Sequence, residues 1–150
     1  MEKVKTIELL NRLIEINNDR IAGYTSASEE IEVQDLKTLF IRFTNTSQKF
    51  NQDLTRIIKG LGGRPTEGTT IEGKSFRTWM DIRSSITGAD RFVILDSCEI
   101  IDKHVVDTYE KILRNELLYL NSEIITIIRA QYSHIKIDLI RLKSIRTMAI

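Results

Sequence analysis

"GLGGRPTEGTTIEG", residues 60–73, decides how this chain divides. It holds five of the seven glycines and the only proline, and the long stretches on either side are nearly free of both. Runs that lack these breakers argue for helices in place of many short strands. The opening Leu61-Gly62-Gly63-Arg64-Pro65 is a helix stop: glycine supplies the left-handed end residue and proline blocks continuation.

Backward from this stop runs a seam of Leu36, Leu39, Phe43, Phe50, Leu54, Ile57 and Leu61, with Ser47 filling its one gap. Before it runs another: Ile7, Leu10, Ile14, Ile21, Tyr24 and Ile31, with Asn17 and Ser28 in the gaps. Spacing that alternates between three and four residues puts each set on one helical face. Only Glu32-Val33-Gln34-Asp35 separates the two, so they form an antiparallel hairpin.

Forward of the stop, a third helix starts at "TGAD" with Asp90 as its N-cap. It carries Phe92, Leu95, Glu99, Asp102, Val106, Tyr109 and Leu113. A fourth carries Leu117, Leu120, Ile124, Ile128, Gln131, Ile135, Leu142 and Ile145. Its last turns hold Arg141, Lys143 and Arg146, which suits the negative end of a helix dipole.

Residues 62–89 are too many for a hairpin turn. Within them Phe76, Trp79, Met80, Arg83 and Ile86 share one face of a short helix. A connection of that length can travel the whole bundle and leave the second and third helices parallel. The expected fold is all-α: a single ferritin-like four-helix-bundle domain over residues 1–150, with a long crossover containing a short helix between helices 2 and 3. An up-down bundle with a decorated loop is the alternative.

The chain's 150 residues suffice for a core that needs no disulfide or metal. Charged residues make up 29% and the formal net charge is +1, which gives no reason to expect a nucleic-acid partner. Cys98 is the one cysteine, so an internal disulfide is excluded and a reducing compartment is expected. The N-terminal residues show no signal-peptide pattern, and no apolar run approaches the ~20 residues needed to cross a bilayer. The reading is a cytoplasmic protein with no membrane partner.

Polar residues interrupt all four seams: Asn17, Ser47, Glu99 with Asp102, and Gln131. Buried charge is costly unless paired or metal-bound. Each lies near the middle of its helix, so they can meet in one layer, with His134 one turn from Gln131. A di-metal carboxylate site in a bundle takes a Glu from each of two helices and Glu-x-x-His from the other two. This chain offers Glu99 and Asp102, then Gln131-x-x-His134, against a neutral Asn17 and a Ser47-x-x-Phe50. A buried polar network that fixes helix register is therefore expected, with Glu99, Asp102, Gln131 and His134 as the metal-binding alternative. His104 lies off its seam and is expected in solvent, and Cys98 is expected as a small packing residue. There is no phosphate-binding loop, Cys-x-x-Cys or His-Glu-x-x-His.

Four stretches carry a likeness beyond bundle patterning: "LLNRLIEINNDRIAGYTSAS", "LGGRP", "FRTWMDIRSSITGAD" and "SCEIIDKHVVDTYEKIL". They resemble an uncharacterised bacterial family of ferritin-like four-helix-bundle proteins, described as a domain of unknown function. The resemblance covers nearly the whole chain and implies a ferritin-like fold without an activity. Against iron-binding members of the wider superfamily, Asn17 stands about where the first helix's Glu is expected. Ser47 and Phe50 replace the second helix's Glu and His, and Gln131 the fourth helix's Glu.

The functional expectation is a non-catalytic bundle that acts by self-association or through a protein partner, with a dimer as the expected homo-oligomer. Exposed Phe76 and Trp79 would mark its contact surface. No cofactor is expected. The alternative is an iron- or manganese-binding protein or weak oxidoreductase that uses the Glu99, Asp102 and His134 cluster. A small apolar ligand between the helices is a third reading.

Overall fold

The computed structural model describes residues 2–70 and 91–148. Among these the regular structure is helical: α1 Lys3–Glu30, α2 Gln34–Gly60, α3 Arg91–Asn115, a 3-10 turn Leu117–Tyr119, and α4 Ser122–Met148. The expected short helix with Phe76, Trp79, Met80, Arg83 and Ile86, and the Asp90 cap, lie outside the described residues. At about 1.5 Å per residue each long helix spans roughly 40 Å.

The glycine-rich stop works as its residues dictate. Gly62 takes φ 82°. Its N–H bonds the Lys59 carbonyl at 3.0 Å, and the Gly63 N–H bonds that of Ile58 at 2.9 Å. These are the paired bonds that close a helix through a left-handed residue. At the other corner the fourth helix starts later than its apolar spacing suggests. The Asn121 side chain accepts the Ile124 N–H at 2.8 Å, as an N-cap does. Leu117 therefore belongs to the 3-10 turn and is 37% exposed, while Leu120 is buried.

Side-chain contacts fix the helix directions. Thr6 meets the Tyr119 carbonyl, Asn17 meets Tyr109, Arg20 meets Asp102, and Tyr24 meets the Cys98 carbonyl. As α1 ascends, α3 descends. α2 turns back along α1 after a short link at residues 31–33, so α2 and α3 point the same way. The chain leaving α2 runs alongside α1: Asn11 bonds Arg64 and Thr66, Asn18 bonds Gly68, and Asp19 bonds Thr70.

Among the described residues the core falls into two apolar clusters. One gathers residues such as Leu9, Leu13, Leu54, Ile112 and Ile128. The other gathers Tyr24, Phe40, Phe43, Leu95 and Leu142. Between them lies the polar centre.

Candidate functional site

Each of the four long helices contributes at least one group to each of two polar layers. In the first layer Asn17 of α1 donates to the Tyr109 hydroxyl of α3 at 2.8 Å. Tyr109 donates to Gln131 Oε1 of α4 at 2.7 Å, and Gln131 Nε2 donates to the Phe50 carbonyl of α2 at 3.3 Å. The order is forced from one end. A carbonyl only accepts, so the Gln131 amide must turn its nitrogen to Phe50 and its oxygen to Tyr109. Asn17 Nδ2 also serves the Leu13 carbonyl at 2.9 Å, and Asn17 Oδ1 is buried without a partner.

The second layer centres on Arg20, which is fully buried. Its Nε and Nη2 grip Asp102 of α3 at 3.0 and 2.9 Å, a two-pronged guanidinium–carboxylate pair. Nη2 also donates to Asp138 Oδ2 of α4 at 3.4 Å, and Nη1 to Ser47 Oγ of α2 at 3.3 Å. Phe43 lies under the guanidinium, 4.6 Å from its ring centre. The spacings agree with the helix directions: Tyr109 and Asp102 are two turns apart, as are Gln131 and Asp138, running opposite ways.

Burial shifts the titrating groups here. It pulls the Arg20 guanidinium down, but the charge and hydrogen bonds of Asp102, with Asp138, more than reverse this and hold it above its ordinary value. Burial pushes the Asp138 carboxyl up, against the opposing pull of Arg20 and His134. It likewise drives up the Tyr109 phenol and the Cys98 thiol. With the Cys98 side chain also fully buried, no thiolate nucleophile is presented.

Of the sequence-predicted residues, Asn17, Ser47, Asp102 and Gln131 come together in the two layers. Glu99 does not join them; its carboxylate bonds Arg146 Nε at 2.5 Å on the α3/α4 flank. His134 stands at the rim, its side chain 52% exposed, with Nε2 3.9 Å from Asp138 Oδ2 and its ring edge-on to Phe50. His104 is exposed. Among the described residues, no three His, Cys, Asp or Glu are grouped to hold a metal ion, and no helix is long and apolar enough to cross a membrane.

Sequence reasoning missed Arg20 and Asp138, and read Tyr109 only as an apolar seam residue. The signal for Arg20 was present but degenerate. From Asn17 to Tyr24 the steps 17-20-24 and 17-21-24 both alternate three and four, and the apolar Ile21 took the place. Ile21 is half-buried while Arg20 is fully buried. On α4 the seam skipped from Ile135 to Leu142, and Asp138 stands in that gap.

A family model described as a domain of unknown function (DUF2383) matches residues 5–115. The chain belongs to this family. The match takes in α1, α2, the connection and α3, hence Asn17, Arg20, Ser47, Asp102 and Tyr109. Gln131 and Asp138, which complete the two layers of this DUF2383 chain, come from α4 beyond it. No curated protein matches the chain.

Proposed function

We propose that this chain is a non-catalytic, ferritin-like bundle that acts through association with protein, its polar layers fixing helix register. Support for the ferritin-like topology comes from α2 and α3 pointing the same way, which calls for one long crossover between them. The observation that carries the functional reading is Arg20. Among the described residues, the two carboxylates that meet at the centre of the bundle, Asp102 and Asp138, are already compensated by a side chain of α1. A guanidinium keeps its charge at all physiological pH values, so it repels a divalent ion from the very oxygens that would bind it.

The donor set around Arg20 does not fit a di-iron centre. Beyond Asp102 and Asp138 the two layers offer the neutral amides of Asn17 and Gln131 and the hydroxyls of Ser47 and Tyr109, with the imidazole of His134 at the rim. A di-iron centre draws a carboxylate from every helix and an imidazole from two. Buried polar groups that satisfy one another across four helices favour a single register, since any slip would strand them.

Metal analysis of untagged, chelator-free protein tests this reading, beside light scattering for association. The expected result is less than stoichiometric iron and manganese, and no gain of iron in Gln131→Glu. Stoichiometric iron or manganese that is lost in Asp102→Asn would overturn it in favour of a metal-binding protein.

A further inference from the structure

The near-zero net charge conceals an uneven distribution. α2 and α4 each carry five Lys or Arg against two Asp or Glu. In α1 and α3 the balance is four against five in each. α2 and α4 meet at a groove of about 530 Å³ whose lining includes Arg42, Ala130, Ser133, His134, Ile137 and Arg141. Arg42 and Arg141 are exposed and form no ion pair among the described residues, whereas Arg56, Arg91, Arg114 and Arg146 each meet a neighbouring carboxylate. The carboxylate in the groove's lining, Asp138, is turned inward to Arg20. Lys49, two turns along α2 from Arg42, is exposed as well. Ile137 shows 59% of its surface in the midst of these cations.

We propose that this groove docks an acidic amphipathic helix of a partner protein. The inference rests on the association reading above and names the surface and its partner. The concavity follows about three turns of α4, residues 130–141, and is edged by Arg42 of α2, so it accepts the ridge of a short further helix. Ile137 and Ala130 offer apolar contact to its buried stripe, and Arg42, Arg141 and Lys49 match acidic residues along its flanks. A second copy of this chain presenting the same face would set arginine against arginine, so the occupant is not a twofold mate through α2 and α4. The described part of the connection, residues 64–70, runs along α1 and leaves the groove open.

The probe is a fluorescein-labelled synthetic helix with leucine at its core positions and glutamate on its flanks, followed by anisotropy against the full chain. Saturable binding is expected, weakening with salt. It falls by about tenfold or more in Arg42→Glu/Arg141→Glu, and stays unchanged in Lys111→Glu on α3. Circular dichroism of these surface variants confirms that they fold. Absence of saturable binding overturns the proposal, as does binding indifferent to the arginine reversals. So does tighter binding to phosphatidylglycerol vesicles or a short DNA duplex than to the peptide. Metal content read on the same preparations separates the two readings. Stoichiometric metal with peptide binding overturns the non-catalytic reading and keeps the groove; metal-free protein without peptide binding does the reverse.

Discussion

Replacing Arg20 by methionine keeps an unbranched apolar stem and removes the guanidinium with its charge and every donor. Asp102 loses a two-pronged partner at 2.9 and 3.0 Å, and Asp138 loses one at 3.4 Å. Ser47 Oγ and the Phe43 carbonyl lose a donor too. No exposed route lets Asp102 regain water, since its side chain is fully buried. Breaking a buried pair from one side costs about 3–5 kcal/mol. Against a typical total of about 5–15 kcal/mol, this removes a large part of the stability. At about 2–4 °C per kcal/mol for a chain of this size, Tm falls by roughly 6–20 °C.

The control is Arg20→Met/Asp102→Leu/Asp138→Asn, in which no member of this charge centre keeps a full charge. Exchange of a whole buried ion pair for apolar groups is often neutral, so this variant is expected to regain most of the loss. Urea unfolding followed by far-UV circular dichroism supplies both numbers. A loss below about 1 kcal/mol in Arg20→Met, or effects that add within about 0.5 kcal/mol, would refute a coupled charge centre.

Tyr109→Phe strips the hydroxyl that joins Asn17 to Gln131 and leaves Gln131 Oε1 buried without its donor. Urea unfolding should show a loss of about 1–3 kcal/mol, against under about 0.5 kcal/mol for a substitution of an exposed, unpartnered group. Within the helix stop, Gly62→Ala should cost about 1–2 kcal/mol because its φ is 82°. Gly60→Ala, with nothing within 4 Å of the added carbon, should be neutral or gain up to about 1 kcal/mol; equal Tm values for the two would contradict the left-handed cap. Burial raises the carboxyls of Asp138 and of Asp19, the latter against hydrogen bonds from Thr70. A raised folded value means stability that is full below the ordinary carboxylate value and lost as pH rises through the folded one. Asp19→Asn/Asp138→Asn should therefore gain on the parent chain as pH rises from about 3.5 to about 7, and parallel curves would count against it.

Much of the fold was legible because its signals are local. A three-four apolar spacing marks a helical face wherever it occurs, and Gly62 with Pro65 marks a stop by backbone sterics alone. The interrupting polar residues were legible for the same reason: Asn17, Ser47, Asp102 and Gln131 sit on seams and all proved buried. Glu99 sits on a seam as well, yet its longer side chain reaches Arg146 on α4 at the flank of the bundle. Periodicity gives an angle around a helix axis, and an angle at the edge of the apolar face does not say which neighbour the side chain will meet.

The sequence by itself determined the four long helices, the stop after α2 and most of the face each turns inward, because these follow from dihedral preferences and spacing within a few residues. Only the tertiary structure decided that Arg20, and not Ile21, fills the centre. Arginine in isolation belongs in water, and a guanidinium goes into a core only where carboxylates meet it. Those carboxylates lie 82 and 118 residues further along the chain. The same holds for the basic groove: a net charge of +1 says nothing of where the charges stand. Packing α2 beside α4 is what brings Arg42 and Arg141 onto one surface.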